Sequence, residues 1–170
     1  MKKFFFICFA TLLLVFSSCK KDNDNSDYYV KLKIDGNWVT WTTVVGELGP
    51  DLADPSKTDL GVTANDDAQK DVFDISIQID GSNFATGAYS TDNPAYWVFI
   101  AYAKDLGTVN AQGFLVTDKP GMPPSKFTVN ILSITDDAIR GNFIGNYLYD
   151  DNADEVLNIT EGEFFVRRIR

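Results

Sequence analysis

The sequence predicts an all-β fold, an antiparallel β-sandwich or a partly closed β-barrel of about 8–10 strands. Three observations carry this. Apolar residues recur with a period of two through most of residues 28–170. Clusters of Gly, Asp, Asn and Pro interrupt them at short intervals. No stretch in that span sustains the period of an amphipathic helix.

The elements follow in order. Val30, Leu32 and Ile34 alternate with Lys31 and Lys33, the pattern of a half-buried strand. Asp35-Gly36 then predicts a two-residue hairpin, because a type I′ turn needs positive φ at both positions. A strand over 38–45 follows, and residues 46–57, with Gly, Pro and Asp, predict a loop. A short strand over 59–64 and a polar turn over 65–71 lead to Phe73, Ile75, Ile77 and Ile79, which alternate with Asp74, Ser76 and Gln78. Residues 81–83 turn the chain, and 84–89 lead through a polar loop to 96–102. That run is apolar at both parities, so it predicts a central strand. Residues 113–116 predict a short strand, and the prolines within 118–125 an irregular segment. Strands over 127–134 and 139–149 are joined at Asp136-Asp137, with Gly141 and Gly145 marking bulges or close backbone packing. After a turn over 150–154, residues 156–159 and 163–169 predict a last strand or strand pair bent at Gly162.

Ahead of this domain, Lys2 and Lys3 precede an apolar run over 4–16, then Ser17, Ser18 and Cys19. This is the order of a signal peptide. Thirteen residues are too few to span a bilayer, which takes about 20. The stretch Val15-Phe16-Ser17-Ser18-Cys19 resembles the lipobox of bacterial lipoproteins, with Phe16 where Leu is usual. That resemblance implies cleavage after Ser18, a diacylglycerol on the Cys19 thiol and acylation of the new amino terminus. Two or more chains give stable anchoring where one does not. Residues 20–27, KKDNDNSD, hold nothing to bury and predict a flexible tether. The expected organisation is therefore a signal peptide over 1–18, a lipidated cysteine and tether over 19–27, and one β domain over 28–170.

The two cysteines are Cys8, inside the leader, and Cys19, so the mature domain is expected to hold no disulfide. Removing residues 1–18 leaves 13 basic against 24 acidic side chains, a charge of −11, which disfavours nucleic acid and anionic lipid as partners. Arg167, Arg168 and Arg170 are the one basic cluster, expected beside acidic neighbours. The chain has no histidine, which excludes Ser-His-Asp and Cys-His catalysis and histidine-based zinc or iron sites.

A wider resemblance rests on the leader with Cys19, the hairpin Leu32-Lys33-Ile34-Asp35-Gly36-Asn37-Trp38, and the ending Ile139-Arg140-Gly141-Asn142-Phe143 with Asn158-Ile159-Thr160-Glu161-Gly162-Glu163-Phe164. In order, these resemble a broad group of small uncharacterised Bacteroidota lipoproteins, whose endings read G-x-F and then I-T-x-G-x-F. The resemblance implies an all-β domain anchored in the outer membrane. A cysteine followed by Lys and Asp is also similar to the tags that send such proteins to the cell surface.

Two kinds of candidate site stand out. Asp66, Asp67 and Asp71, and again Asp150, Asp151, Asp154 and Glu155, supply oxygen ligands of the kind calcium takes, but neither group has EF-hand spacing. Solvated turns explain them more simply, and no metal or cofactor is expected. Trp38 and Trp41 are three apart and so face opposite sides of one strand, while Trp97 falls in the apolar run expected to be core. An exposed indole beside Asp or Asn is how a β-sandwich grips a sugar ring. Trp38 and Trp41 are thus the candidate ligand-binding residues. The expected function is a non-enzymatic envelope protein that binds a glycan or small ligand. The alternative is a structural or assembly partner of another outer-membrane protein.

Overall fold

The structure is a computed structural model that describes residues 27–116, 122–150 and 155–170. The expected leader, Cys19 and the expected tether up to residue 26 lie outside the described residues, as do parts of the proline-rich segment and of the second acidic turn.

Twelve strands are present among the described residues: β1 (Tyr29–Ile34), β2 (Asn37–Trp41), β3 (Thr43–Pro50), β4 (Lys57–Asn65), β5 (Val72–Asp80), β6 (Gly87–Ser90), β7 (Tyr96–Lys104), β8 (Gln112–Leu115), β9 (Thr128–Ile134), β10 (Ala138–Ile144), β11 (Tyr147–Asp150) and β12 (Val156–Arg167). All named pairings are antiparallel, in the order β3-β4-β5-β7-β8-β11-β12-β10-β9-β6, with β1 on β12 and β2 on β1. The sheet is not closed, and it bends along β12 into a sandwich-like pair of layers. Phe73 of β5 stacks on Phe143 of β10, with ring centroids 5.4 Å apart, so the two halves face each other across one core.

The alternation foreseen for β5 extends to its neighbours. Leu60, Val62 and Ala64 of β4, Phe73, Ile75 and Ile77 of β5, and Val98, Ile100 and Tyr102 of β7 are buried. The side chains between them face outward. The β1–β2 hairpin has φ of 46° at Asp35 and 84° at Gly36, the geometry of the foreseen type I′ turn.

The strand count exceeds the expected range because two stretches each break into two strands and residues 87–90, expected to lead into a loop, form β6, while the bounds of two other segments shift. The stretch 38–45 breaks at Thr42, where the chain leaves β2 in one layer and enters β3 in the other. Residues 46–50 are not loop but the second half of β3, paired with β4 as far as Pro50↔Thr58. Their outer edge is met by the chain's end: Ile169 N–H donates to the Gly46 carbonyl at 2.9 Å, and Leu48 N–H to the Arg170 carbonyl at 3.0 Å. The stretch 139–149 breaks after Ile144 into β10 and β11. Conversely, the ending is a single strand, β12. Its bulge lies at Thr160 and Glu161, where Leu32 pairs Gly162 but Ile34 pairs Ile159, rather than at Gly162.

The two G-x-F segments have a shared physical basis. Gly141 pairs with Phe164 and Phe143 with Gly162 across β10 and β12. A Cβ on Gly141 would lie 2.4 Å from the Phe164 ring, and one on Gly162 would lie 2.3 Å from the Phe143 ring. Each phenyl thus lies over the glycine of the opposite strand, and both rings are buried.

Candidate functional site

One layer runs from β3 through β4, β5 and β7 to β8, and the outer face of this β3–β8 layer carries a row set by strand register. Gly49 pairs with Asp59, Asp59 with Gln78, and Gln78 with Trp97, one residue from each of β3, β4, β5 and β7. The next row is Glu47, Gly61, Ser76 and Phe99. Gly61 and Ser76 keep the floor low, and a cleft of about 500 Å3 opens above it, bounded by Trp97, Asp51 and Arg170. The indole of Trp97 is 55% exposed and lies parallel to the ring of Phe99, with centroids 5.3 Å apart and planes at 2°.

Polar groups in the cleft are held in place. Asp51 Oδ1 accepts from the N–H groups of Ala53 at 2.7 Å and Asp54 at 2.5 Å, which orders the turn after β3. Gln78 Nε2 donates to Asp51 Oδ2 at 3.0 Å, and Gln78 Oε1 accepts from Lys57 Nζ at 3.2 Å, so the amide is fixed from both ends. Arg170 Nη2 lies 4.0 Å from Glu47 Oε2, the acidic neighbour foreseen for that arginine. Arg168 instead donates to the Thr135 carbonyl at 3.1 Å.

The carboxyl groups of Asp51 and Asp59 are pushed in opposite directions. The Asp54 N–H, then the hydrogen bond with Asp59, hold the Asp51 carboxyl below its ordinary value. Burial pushes Asp59 up, and the neighbouring Asp51 adds to the rise. Asp59 Oδ1 is shut off from solvent with no donor of its own. The pH consequence has a definite sign. The unfolded carboxyl takes the ordinary 3.8, so the contribution of Asp59 to stability is fully present below that value and lost as pH rises through the higher folded value. Replacing Asp59 with Asn should therefore raise Tm more at pH 7 than at about pH 3.5. Thermal melts at both pH values check this, and equal shifts contradict it.

The sequence-predicted tryptophans separate as their spacing requires, but only one is available to a ligand. Trp41 is buried, stacked on Tyr102 at 6.1 Å and 13°, so it is corrected from a candidate contact residue to a core residue. Trp38 is 48% exposed. The ammonium groups of Lys31 and Lys33 lie 4.6 Å and 5.8 Å from its ring centroid, so its π face already has cationic partners. Residues 46–57 do not cover it, and Leu52 in that stretch is itself exposed. Trp97, expected in the core, is the exposed indole beside polar groups.

The first acidic turn is engaged in its own structure. Asp66 Oδ1 accepts from the N–H groups of Lys70 at 2.6 Å and Asp71 at 3.0 Å. Asp71 accepts from the Tyr102 hydroxyl at 2.9 Å and from the Asp105 N–H at 3.2 Å. Burial and the Asp71 carboxylate push the Tyr102 phenol well above its ordinary value. Among the described residues, no three carboxylates converge as metal ligands, and Asp151 and Asp154 lie outside them. No protein-family model, curated protein or solved structure matches the chain.

Asp51, Asp59, Gln78 and Trp97 were missed as site residues. A signal existed for Trp97. The strands over 59–64 and 73–79 each read as one-sided with a polar outer parity, so a strand added to the same layer has its second parity, Trp97 and Phe99, facing solvent.

Proposed function

We propose that this protein is a lipid-anchored component of the bacterial outer membrane, held at the cell surface through Cys19, that binds glycan on the outer face of its β3–β8 layer without chemical turnover. The observation that carries the binding role is the exposed Trp97 indole level with the fixed polar row of Gln78 and Asp59. An apolar ring face stacks on the indole while hydroxyls bond to the amide and carboxyl groups beside it. The anchor is supported by the order of charge, apolar run, small residues and cysteine in 1–19.

The carboxylate pair favours binding over hydrolysis. Glycosidase carboxyls stand about 5 Å or more apart to admit the reacting sugar, whereas Asp51 and Asp59 are within hydrogen-bonding reach of each other. Screening the purified domain against immobilised polysaccharides, with reducing-sugar release measured alongside, tests both halves. Retention of a glycan without release of sugar is expected. Release of sugar that stops in Asp59→Asn would make the protein an enzyme.

The assembly-partner reading has one observation in its favour. Trp38 and the 64% exposed Ile144 border a common hollow of about 290 Å3 on the other layer. Retention of an envelope protein and of no glycan would put it first. For the anchor, labelled fatty acid should enter the wild-type protein and be absent from Cys19→Ser. Equal labelling of both removes the lipid from the account.

A further inference from the structure

We infer that the site takes an internal stretch of a linear, uncharged polysaccharide laid across the strands, rather than a single sugar or a chain end; this rests on the glycan reading above. Trp97 belongs to more than the cleft. On its far side a hollow of about 230 Å3 runs past Phe99 to Val116, after β8. At the strand ends, another of about 330 Å3 lies against Asp80 and Pro94. Trp97 lines all three hollows. Register gives the length. Three inter-strand steps from Gly49 to Trp97 span about 14 Å, at roughly 4.8 Å per step. A site for one small ligand encloses most of its surface. Here the central ring is more than half exposed and the recess continues on both sides of it, the shape of a groove along which a chain lies.

Charge sets the class of chain. Glu47, Asp51, Asp59, Asp80 and Asp92 lie along the hollows. The cations beside them are already engaged: Lys57 with Gln78, Arg170 with Glu47, and Lys126 with Asp92 at 3.0 Å. A uronate or sulfated chain is repelled, whereas the hydroxyl groups of an uncharged chain donate to the exposed carboxylates of Glu47 and Asp92.

The test is calorimetric titration of the folded domain with neutral β-1,4- and α-1,4-linked oligosaccharides of two to six units, their terminally reduced alditols, and polygalacturonate. For at least one neutral series, affinity should rise tenfold or more from two units to six. It should be unchanged in the hexamer's alditol, and polygalacturonate should not bind. Phe99→Ala, which alters the hollow beyond Trp97, should weaken the hexamer more than the dimer. A dimer that binds as tightly as the hexamer, a loss of affinity on terminal reduction, or tight polygalacturonate binding overturns the internal-chain inference and leaves glycan binding standing. No binding by any carbohydrate, with native circular dichroism, overturns both.

Discussion

Truncating Phe143 to Ala should lower stability by about 3–5 kcal/mol, the range for a buried phenyl replaced by a methyl. Three features place it there. The side chain is 1% exposed, its ring stacks on Phe73 of the opposite layer, and the same ring lies over Gly162 of β12. Losing it opens a cavity between the layers and bares the glycine backbone. Since small domains are stable by about 5–15 kcal/mol, the variant should be near the limit of folding. The reciprocal change, Gly162→Ala, acts by overpacking: its Cβ meets the Phe143 ring at 2.3 Å and the Lys31 carbonyl at 2.7 Å. That change should cost about 1–3 kcal/mol. Denaturant unfolding measures both, and an unchanged midpoint for Phe143→Ala would mean that the layers do not pack through it.

Trp97→Ala should abolish detectable glycan binding and leave the melting temperature within about two degrees of wild type, as expected for a side chain outside the core. Among the described residues that line the cleft, Trp97 supplies the aromatic face on which a sugar ring stacks. Trp38→Ala should leave binding intact, because Trp38 lies on the other layer among Lys31, Lys33 and Glu161. Affinity electrophoresis of the two variants in the retained polysaccharide separates them. Loss of binding in Trp38→Ala instead would move the site to the β1–β2 hairpin.

The fold was legible where one strand carries its own face assignment. Phe73, Ile75 and Ile77 alternate with polar residues and are buried as that pattern requires. Asp35-Gly36 is a turn because of its own backbone chemistry. What was not legible depends on partners distant in sequence. Residues 46–50 look like loop because Gly and Pro are poor strand formers, yet β4 on one side and the chain end on the other pair their backbone. The pairing of the two G-x-F segments needs the register of β10 against β12, which single strands do not reveal. The site was harder still. Asp59, Gln78 and Trp97 are spread over three strands, and only register aligns them. Within its own strand, Trp97 looks like core because every neighbour is apolar; it is exposed because β7 joins a layer whose other face is open to solvent.

The chain's three tryptophans, Trp38, Trp41 and Trp97, give three indole N–H signals from three different environments: one capped by lysines, one buried, and one beside the cleft. Titrating the isotopically labelled domain with the retained glycan and following those signals by NMR tests the central claim most directly. The Trp97 signal should shift with increasing ligand while those of Trp38 and Trp41 stay in place. A shift confined to Trp38, or none in any indole while the glycan binds, would contradict a glycan site on the outer face of the β3–β8 layer.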